Sequence, residues 1–203
     1  MERGPIRIAV LVSGGGTNLQ ALIDAQARGE IPHGQLSLVV SSKPEVYALT
    51  RAAQAGIPHA TVPRRGRSQE EFEQDLLTVL AGHDIELVVL AGFLSILSEN
   101  FVKRYPERII NVHPSLIPSF CGAGYYGLRV HEAALDYGVK LTGATVHYVN
   151  EVPDGGAILL QKAVPVLEGD TPETLQRRVM EQAEWLLLPQ AAELVSQKLL
   201  YIR

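Results

Sequence analysis

The chain has 203 residues, 46% of them hydrophobic and 20% charged, with a net charge of −4 and one cysteine. This composition excludes a disordered chain, a disulfide framework and a cysteine-based zinc site, and its mild acidity argues against a nucleic-acid or anionic-membrane surface. Met1 to Gly16 does not read as a signal peptide, and the longest apolar run, Leu87 to Phe93, falls far short of the roughly 18–20 residues of a membrane span, so a reduced, cytoplasmic, soluble protein is expected. Ile6 to Val12 is a β-branched apolar run that reads as a first strand, stopped by Ser13-Gly14-Gly15-Gly16. Thr17 to Gly29 reads as a helix with Leu19, Leu22 and Ile23 on one stripe and Gly29 as terminator. Leu36 to Val40 follows as a strand, Glu45 to Ala55 as a helix closed by Gly56, and Ile57 to Val62 as a strand that Pro58 marks as an edge. Ser68 to Ala81 is a helix with acids early, where the macrodipole favours them. Ile85 to Leu90 reads as a strand, Ile96 to Arg104 as a short helix and Ile109 to Val112 as a fifth strand. After the glycine-rich loop Pro114 to Gly127, Leu128 to Tyr137 is a helix. Thr142 to Val149 and Ala157 to Val166 are extended runs joined by the turn Glu151 to Gly156, and Thr171 to Leu199 is a long helical tail with a bend at Pro189. Strands alternating with helices of about 10–15 residues predict an α/β fold: a Rossmann-like mixed sheet, parallel in its N-terminal half with helices on both faces, antiparallel in its late strands.

Ser13-Gly14-Gly15-Gly16-Thr17-Asn18 follows a strand and opens a helix, where unpaired N–H groups and the positive end of the helix dipole attract anions. The loop lacks the third glycine of a dinucleotide fingerprint, because Leu19 stands there, and no acid ends the second strand at Ser41-Ser42-Lys43. It also lacks the Gly-Lys-Ser/Thr of a triphosphate loop. A single phosphate is the favoured guest, against a turn whose glycines only pack helix on sheet. Asn111 and His113 end the fifth strand two residues apart, so they share a face at the carboxyl edge of the sheet, and Pro114 holds His113 extended. An amide beside an imidazole can stabilise an oxyanion and move a proton. A satisfied structural histidine fits the position about equally well. Asp154 lies in the turn sequence Pro153-Asp154-Gly155-Gly156; it is either a turn aspartate or a carboxylate that orients His113 and keeps it charged, and spacing does not decide between them.

The remaining candidates are weaker. His33, His59 and His83 lie by turn signals, His131 starts a helix, and His147 either lines the site or packs. No spacing matches a metal motif, and no metal is expected. Cys121 reads as incidental, and Trp185 with Leu186, Leu187 and Leu188 reads as core.

Together these segments resemble the phosphoribosylglycinamide formyltransferase family, the folate-dependent transformylases of purine synthesis, from about Ile6 to Pro189. The resemblance rests on Ser13 to Gln20, Leu90 to Leu97, Asn111 to Pro118 and Gly143 to Gly156, four motifs in order at fitting spacing. It implies transfer of a formyl group from 10-formyltetrahydrofolate to the amine of 5-phosphoribosylglycinamide, on the way to IMP, with no metal. It implies Asn111, His113 and Asp154 as the catalytic trio, and a ribonucleotide-phosphate loop at Gly14, Gly15, Gly16, Thr17 and Asn18. With one inserted residue allowed in its helix, Glu184 matches an acid that the family uses on the nucleotide. The implied folate pocket is Leu94, Ser95, Ile96, Leu97, Asn111, Asn150, Glu151 and Val152. The chain is then one formyltransferase domain over 1–203, with a nucleotide-phosphate half at 1–110 and a catalytic and folate half at 111–203. Its partners are small-molecule substrates, with no nucleic acid or membrane, in a monomer or homodimer. The chain departs from the family pattern at Pro153, where an aliphatic residue is usual, at Ser95, where some members carry Arg, and at Trp185, where many carry His. Its loop from Cys121 to Gly127 is longer and richer in glycine than in many members.

Other readings compete. Formyltetrahydrofolate deformylases resemble this family and share the trio, with water in place of the amine. They usually carry an additional N-terminal regulatory domain, whereas Ile6 starts the first strand here. Methionyl-tRNA formyltransferases share the trio too, with a further C-terminal domain and a basic face. A non-catalytic mononucleotide-binding module has no need of the trio, and a NAD-dependent dehydrogenase is disfavoured by the missing fingerprint.

Overall fold

β1 (Ile6–Val12) is an interior strand of a seven-stranded sheet, and this position explains its apolar run, interrupted only by Arg7 near the start. Its alternate residues feed two cores. Ile6, Ile8, Val10 and Val12 pack on one face of the sheet against α1 (Thr17–Ala27), α2 (Tyr47–Gln54) and α7 (Trp185–Ile202). Ala9 and Leu11 face the other side, with Phe72, Leu76 and Leu80 of α3 (Gln69–Ala81) and Phe101 of α4 (Glu99–Val102). All of these strand residues are fully buried. Each large one contributes about 1.5–3 kcal/mol relative to exposure. The computed structural model describes residues 4–202. Residues 1–3 and 203, which belong to the Met1 to Gly16 and 1–203 readings, lie outside the described residues.

The strand order is β3-β2-β1-β4-β5-β6-β7. β2 (Gly34–Ser41), β3 (His59–Thr61), β4 (Leu87–Leu90) and β5 (Ile109–His113) join β1 in parallel pairing. After α5 (Leu128–Tyr137), β6 (Leu141–Tyr148) pairs antiparallel with β5, and β7 (Ile158–Pro165) antiparallel with β6. The predicted mixed sheet and the edge position of the third strand are therefore both observed. The loops after β1, β4 and β5 lie at the carboxyl edge of the parallel strands, and the β6–β7 turn, which leaves β6 level with the start of β5, folds back to meet the loop after β5.

Two predicted elements differ. The helix expected over Ile96 to Arg104 is only Glu99–Val102. Ser98 caps it by accepting the Phe101 N–H, and the buried Glu73 carboxylate accepts both the Ser98 N–H (2.6 Å) and its hydroxyl (2.5 Å). These tertiary bonds fix Ser98 in extended backbone and leave 92–97 as loop. In the tail, the break is not at Pro189, which lies inside α7. It is a π turn, Met180–Glu184, between α6 (Pro172–Val179) and α7, in which the Trp185 N–H reaches back five residues to the Met180 carbonyl. A π turn accommodates one extra residue in a helix, whereas a proline removes a single bond. The apolar run after it also splits. Leu187 and Leu188 are core, but Leu186 is exposed and, with Trp185, lines a cavity beside Thr17 and Gln20.

Candidate active site

β5 carries Asn111 and His113 on one face, and the antiparallel register sets His147 of β6 opposite Asn111 and Thr145 opposite His113. The β6–β7 turn then brings Asp154 onto the same spot. Asp154 has φ +55°, outside the usual range for a side-chain-bearing residue. Gly156 makes the turn possible, since a Cβ there would lie 1.7 Å from the Tyr148 carbonyl oxygen. Asp154 Oδ2 is 3.5 Å from His113 Nδ1, and Oδ1 is 3.5 Å from both His147 Nε2 and Asn111 Nδ2. Asn111, His113 and Asp154 line one cavity of 540 Å³.

The loop after β5 holds this group from the other side. The Phe120 carbonyl lies 2.8 Å from His113 Nε2, and the Gly122 N–H donates to Asp154 Oδ2 at 2.8 Å. The loop itself is pinned by Thr145, whose hydroxyl donates to the Ser115 carbonyl and accepts the Ile117 N–H. His113 is buried, with the Phe120 carbonyl facing Nε2 and the Asp154 carboxylate facing Nδ1. His147 donates from Nδ1 to the Tyr148 carbonyl at 2.8 Å, and its Nε2 lies 3.2 Å from Asn111 Nδ2 and 3.5 Å from Asp154 Oδ1. Asn111 Nδ2 makes only these two long contacts, at 3.2 Å and 3.5 Å, and lines the cavity, where it can turn an N–H toward an oxyanion. Burial pushes the Asp154 carboxyl up. The His147 hydrogen bond, the His113 charge and the Gly122 amide outweigh burial and hold it below the usual carboxylate range. His131 lies nearby with both ring nitrogens buried and unpartnered, and burial and then the charge of His113 push it down to about 4.

A second cavity, of 120 Å³, adjoins the first. Ser95, Ile96 and Leu97 form one wall, Asn150, Glu151 and Val152 the other, and Asn111 and Asp154 the shared boundary. Leu94 lines the larger cavity instead. Leu94, Ile96 and Val152 are more than half exposed, so an apolar rim faces the opening.

Gly14, Gly15, Gly16, Thr17 and Asn18 form the turn into α1. A Cβ on Gly14 or Gly15 would meet nothing within 4 Å, so open space lies beside them. Gly16 has φ +75°, and its Cβ would lie 2.7 Å from Ala48 Cβ. One glycine of the loop is thus needed for packing and two leave room. The π turn brings Glu184 to this loop, where it accepts from Asn18 Nδ2 at 2.8 Å. Burial pushes the Glu184 carboxyl up to about 7, and the Asn18 hydrogen bond offsets this only in part. Ser13 connects the two regions. Its hydroxyl accepts the Leu94 N–H at 3.0 Å and shares a 2.6 Å hydrogen bond with Ser42.

Residue type and spacing leave His147 undecided and do not single out Phe120, Gly122 or Glu73. The period-2 pattern placed His147 on a strand, but its contact with Asp154 follows from the β5–β6 register. Phe120 and Gly122 act through backbone atoms, which residue type does not reveal. Among the described residues, no group of three or more His, Cys, Asp or Glu is placed to hold a metal, and no helix is long and apolar enough to cross a membrane.

The chain matches the formyl transferase family profile over residues 6–191. It is 42% identical over 184 residues to the phosphoribosylglycinamide formyltransferase of Haemophilus influenzae, covering 90% of this chain and 84% of that one. It is 44% identical over 197 residues to the trifunctional purine biosynthetic protein adenosine-3 of Gallus gallus, covering 97% of this chain but 19% of that protein. The chain thus spans about a fifth of that curated relative's length. The crystal structure of glycinamide ribonucleotide transformylase 1 from Symbiobacterium toebii aligns with a TM-score of 0.89 at 40% identity, covering 96% of this chain and 89% of that one. A formyltetrahydrofolate deformylase from Pseudomonas syringae pv. tomato aligns at 0.85 with 27% identity, covering 96% of this chain and 62% of that one. With one continuous profile match running from the first strand into the last helix, the chain belongs to the formyl transferase family.

Proposed function

We propose that the protein transfers the formyl group of 10-formyltetrahydrofolate to the amine of 5-phosphoribosylglycinamide, in purine nucleotide synthesis. The observation that carries this reading is the single cavity lined by Asn111, His113 and Asp154, bordered by apolar Phe93, Leu94 and Ile96. The folate occupies the cavity between Ser95–Leu97 and Asn150–Val152. The ribonucleotide phosphate lies at Gly14 to Asn18, with Glu184 on the nucleotide. Both ligand regions draw on both halves of one domain. The reading carries with it a cytoplasmic enzyme that works on two small molecules as a monomer or homodimer.

Asn111 Nδ2 and charged His113 are the donors for the oxyanion that develops when the amine adds to the formyl carbon. One such donor is typically worth about 2.7–4 kcal/mol. Asp154 keeps His113 charged and oriented. As the C–N bond to the folate breaks, the proton lost by the attacking amine reaches the departing folate nitrogen through water held by Asp154 and His113. The products are the formylated ribonucleotide and tetrahydrofolate, so protons and charge balance without a further reactant.

The test is incubation with both substrates, and with the folate alone in water, followed by mass spectrometry. Formylated ribonucleotide in the first and negligible formate in the second is the expected result. Formate released at the same rate in both overturns the reading in favour of a hydrolase.

A further inference from the structure

The phosphate loop is oriented from behind. The carbonyls of Gly14 and Gly15 both turn toward α2: the Ala48 N–H donates to the Gly14 oxygen at 3.3 Å and Arg51 Nε to the Gly15 oxygen at 2.9 Å. In a trans peptide the carbonyl and the following N–H point in opposite directions. The Gly15 and Gly16 N–H groups therefore face away from α2, toward the open side of the loop. Neither has an acceptor among the described residues. Two successive amides aimed outward beside a left-handed Gly16 form a concave anion seat.

Arg51 is itself held in place. Its Nη1 donates to Gln20 Oε1 at 2.8 Å, Gln20 Nε2 donates to Asp24, and the guanidinium lies 4.8 Å over the Tyr47 ring. Two of its nitrogens thus bridge the loop backbone and α1 in one plane, a geometry that the single ammonium of a lysine cannot reproduce. We infer that Arg51 is a positioning residue for phosphate recognition: it fixes the Gly15–Gly16 peptide so that the Gly16 N–H points at the ligand, without contacting the ligand itself. The inference rests on the proposed phosphate role of Gly14 to Asn18 and adds a residue outside the loop.

The experiment is calorimetric titration of the full chain, wild type, Arg51→Ala and Arg51→Lys, with 5-phosphoribosylglycinamide, inorganic phosphate and tetrahydrofolate. Arg51→Ala weakens ribonucleotide and phosphate binding at least tenfold and leaves tetrahydrofolate binding within twofold. Arg51→Lys loses nearly as much, and added guanidinium restores part of the loss in Arg51→Ala. In turnover, KM for the ribonucleotide rises while kcat at saturation stays within threefold. Unchanged ribonucleotide affinity in folded Arg51→Ala overturns the inference. So does wild-type affinity in Arg51→Lys, because charge alone then suffices. Should the variants not fold, amide NMR of the wild type decides: the Gly15 and Gly16 N–H signals shift downfield on adding phosphate, and signals that do not move refute the inference. Wild type that binds inorganic phosphate but not the ribonucleotide overturns the substrate assignment instead, and the Arg51 comparison is then read with phosphate.

Discussion

Asp154→Asn removes one charge and nearly preserves shape. At an effective dielectric constant of about 20, unit charges 3.5 Å apart, the His113–Asp154 separation, attract by about 5 kcal/mol. Part of that is retained or screened. The asparagine oxygen still accepts the Gly122 N–H, and the Asp154 side chain is 13% exposed. A loss of about 3–4 kcal/mol in stabilising the charged transition state remains, or about a 10²–10³-fold fall in kcat. KM for both substrates changes less than threefold, because the missing interaction acts mainly in the transition state. Steady-state kinetics across pH make the assay. Asp154 titrates below the usual carboxylate range, so wild type keeps its anion through the pH range in which a free aspartate begins to protonate. If Asp154 acts only by keeping His113 charged, the variant regains activity as the pH falls and solvent supplies the proton. If it also relays a proton, the variant stays slow at every pH. A variant with wild-type kcat refutes both accounts and returns Asp154 to the role of a turn residue.

Three further outcomes are expected. Glu184 titrates near 7 when folded against about 4.5 free, so folding favours its neutral form; the resulting stability is complete below the free value and is lost as pH rises toward 7, up to about 3 kcal/mol. Thermal melts of wild type and Glu184→Gln should therefore converge at pH 4 and separate by pH 8 with the variant more stable, and parallel curves contradict the argument. Gly16→Val should lower the melting temperature by several degrees because its Cβ meets Ala48, whereas Gly14→Val should melt like wild type and bind the ribonucleotide at least tenfold more weakly by calorimetry. Equal affinity in Gly14→Val speaks against a ligand at the open side of the loop. Glu73→Gln weakens the anchor on Ser98 and should raise KM for the folate several-fold while KM for the ribonucleotide is unchanged; equal rises in both would show a general loss of structure.

What could be read from the sequence was what is local. The first strand and its glycine turn follow from β-branched runs and punctuation, and Asn111 and His113 share a face because strands repeat every two residues. The meeting of Asp154 with His113 was not local. It needs the antiparallel return of β6, the strained turn at Asp154 and the close approach at Gly156. The same register brings His147 to the site. Ile96 to Ser98 carries helix-compatible residues, yet Glu73, far away in sequence, holds Ser98 outside the helix. The tail has the composition of one uninterrupted helix, and Pro189 is its conspicuous irregular residue. The π turn has no residue signature of its own; its trace in the sequence is the inserted residue needed to match Glu184 to the family, and the inward position of Glu184 reveals what that residue accomplishes.

The Ser13 hydroxyl ties the end of β1 to the 92–97 loop, so under the proposed function the seat of one ligand shares a strut with the wall of the other. A ligand that shifts Ser13 changes the free energy of the second site. That influence has a ceiling: a single hydrogen bond contributes about 0.5–1.5 kcal/mol net, so cooperativity passed through Ser13 amounts to about tenfold at most. Linkage also makes it symmetric. Whatever factor the ribonucleotide applies to folate affinity along this route, the folate applies to the ribonucleotide, whichever arrives first.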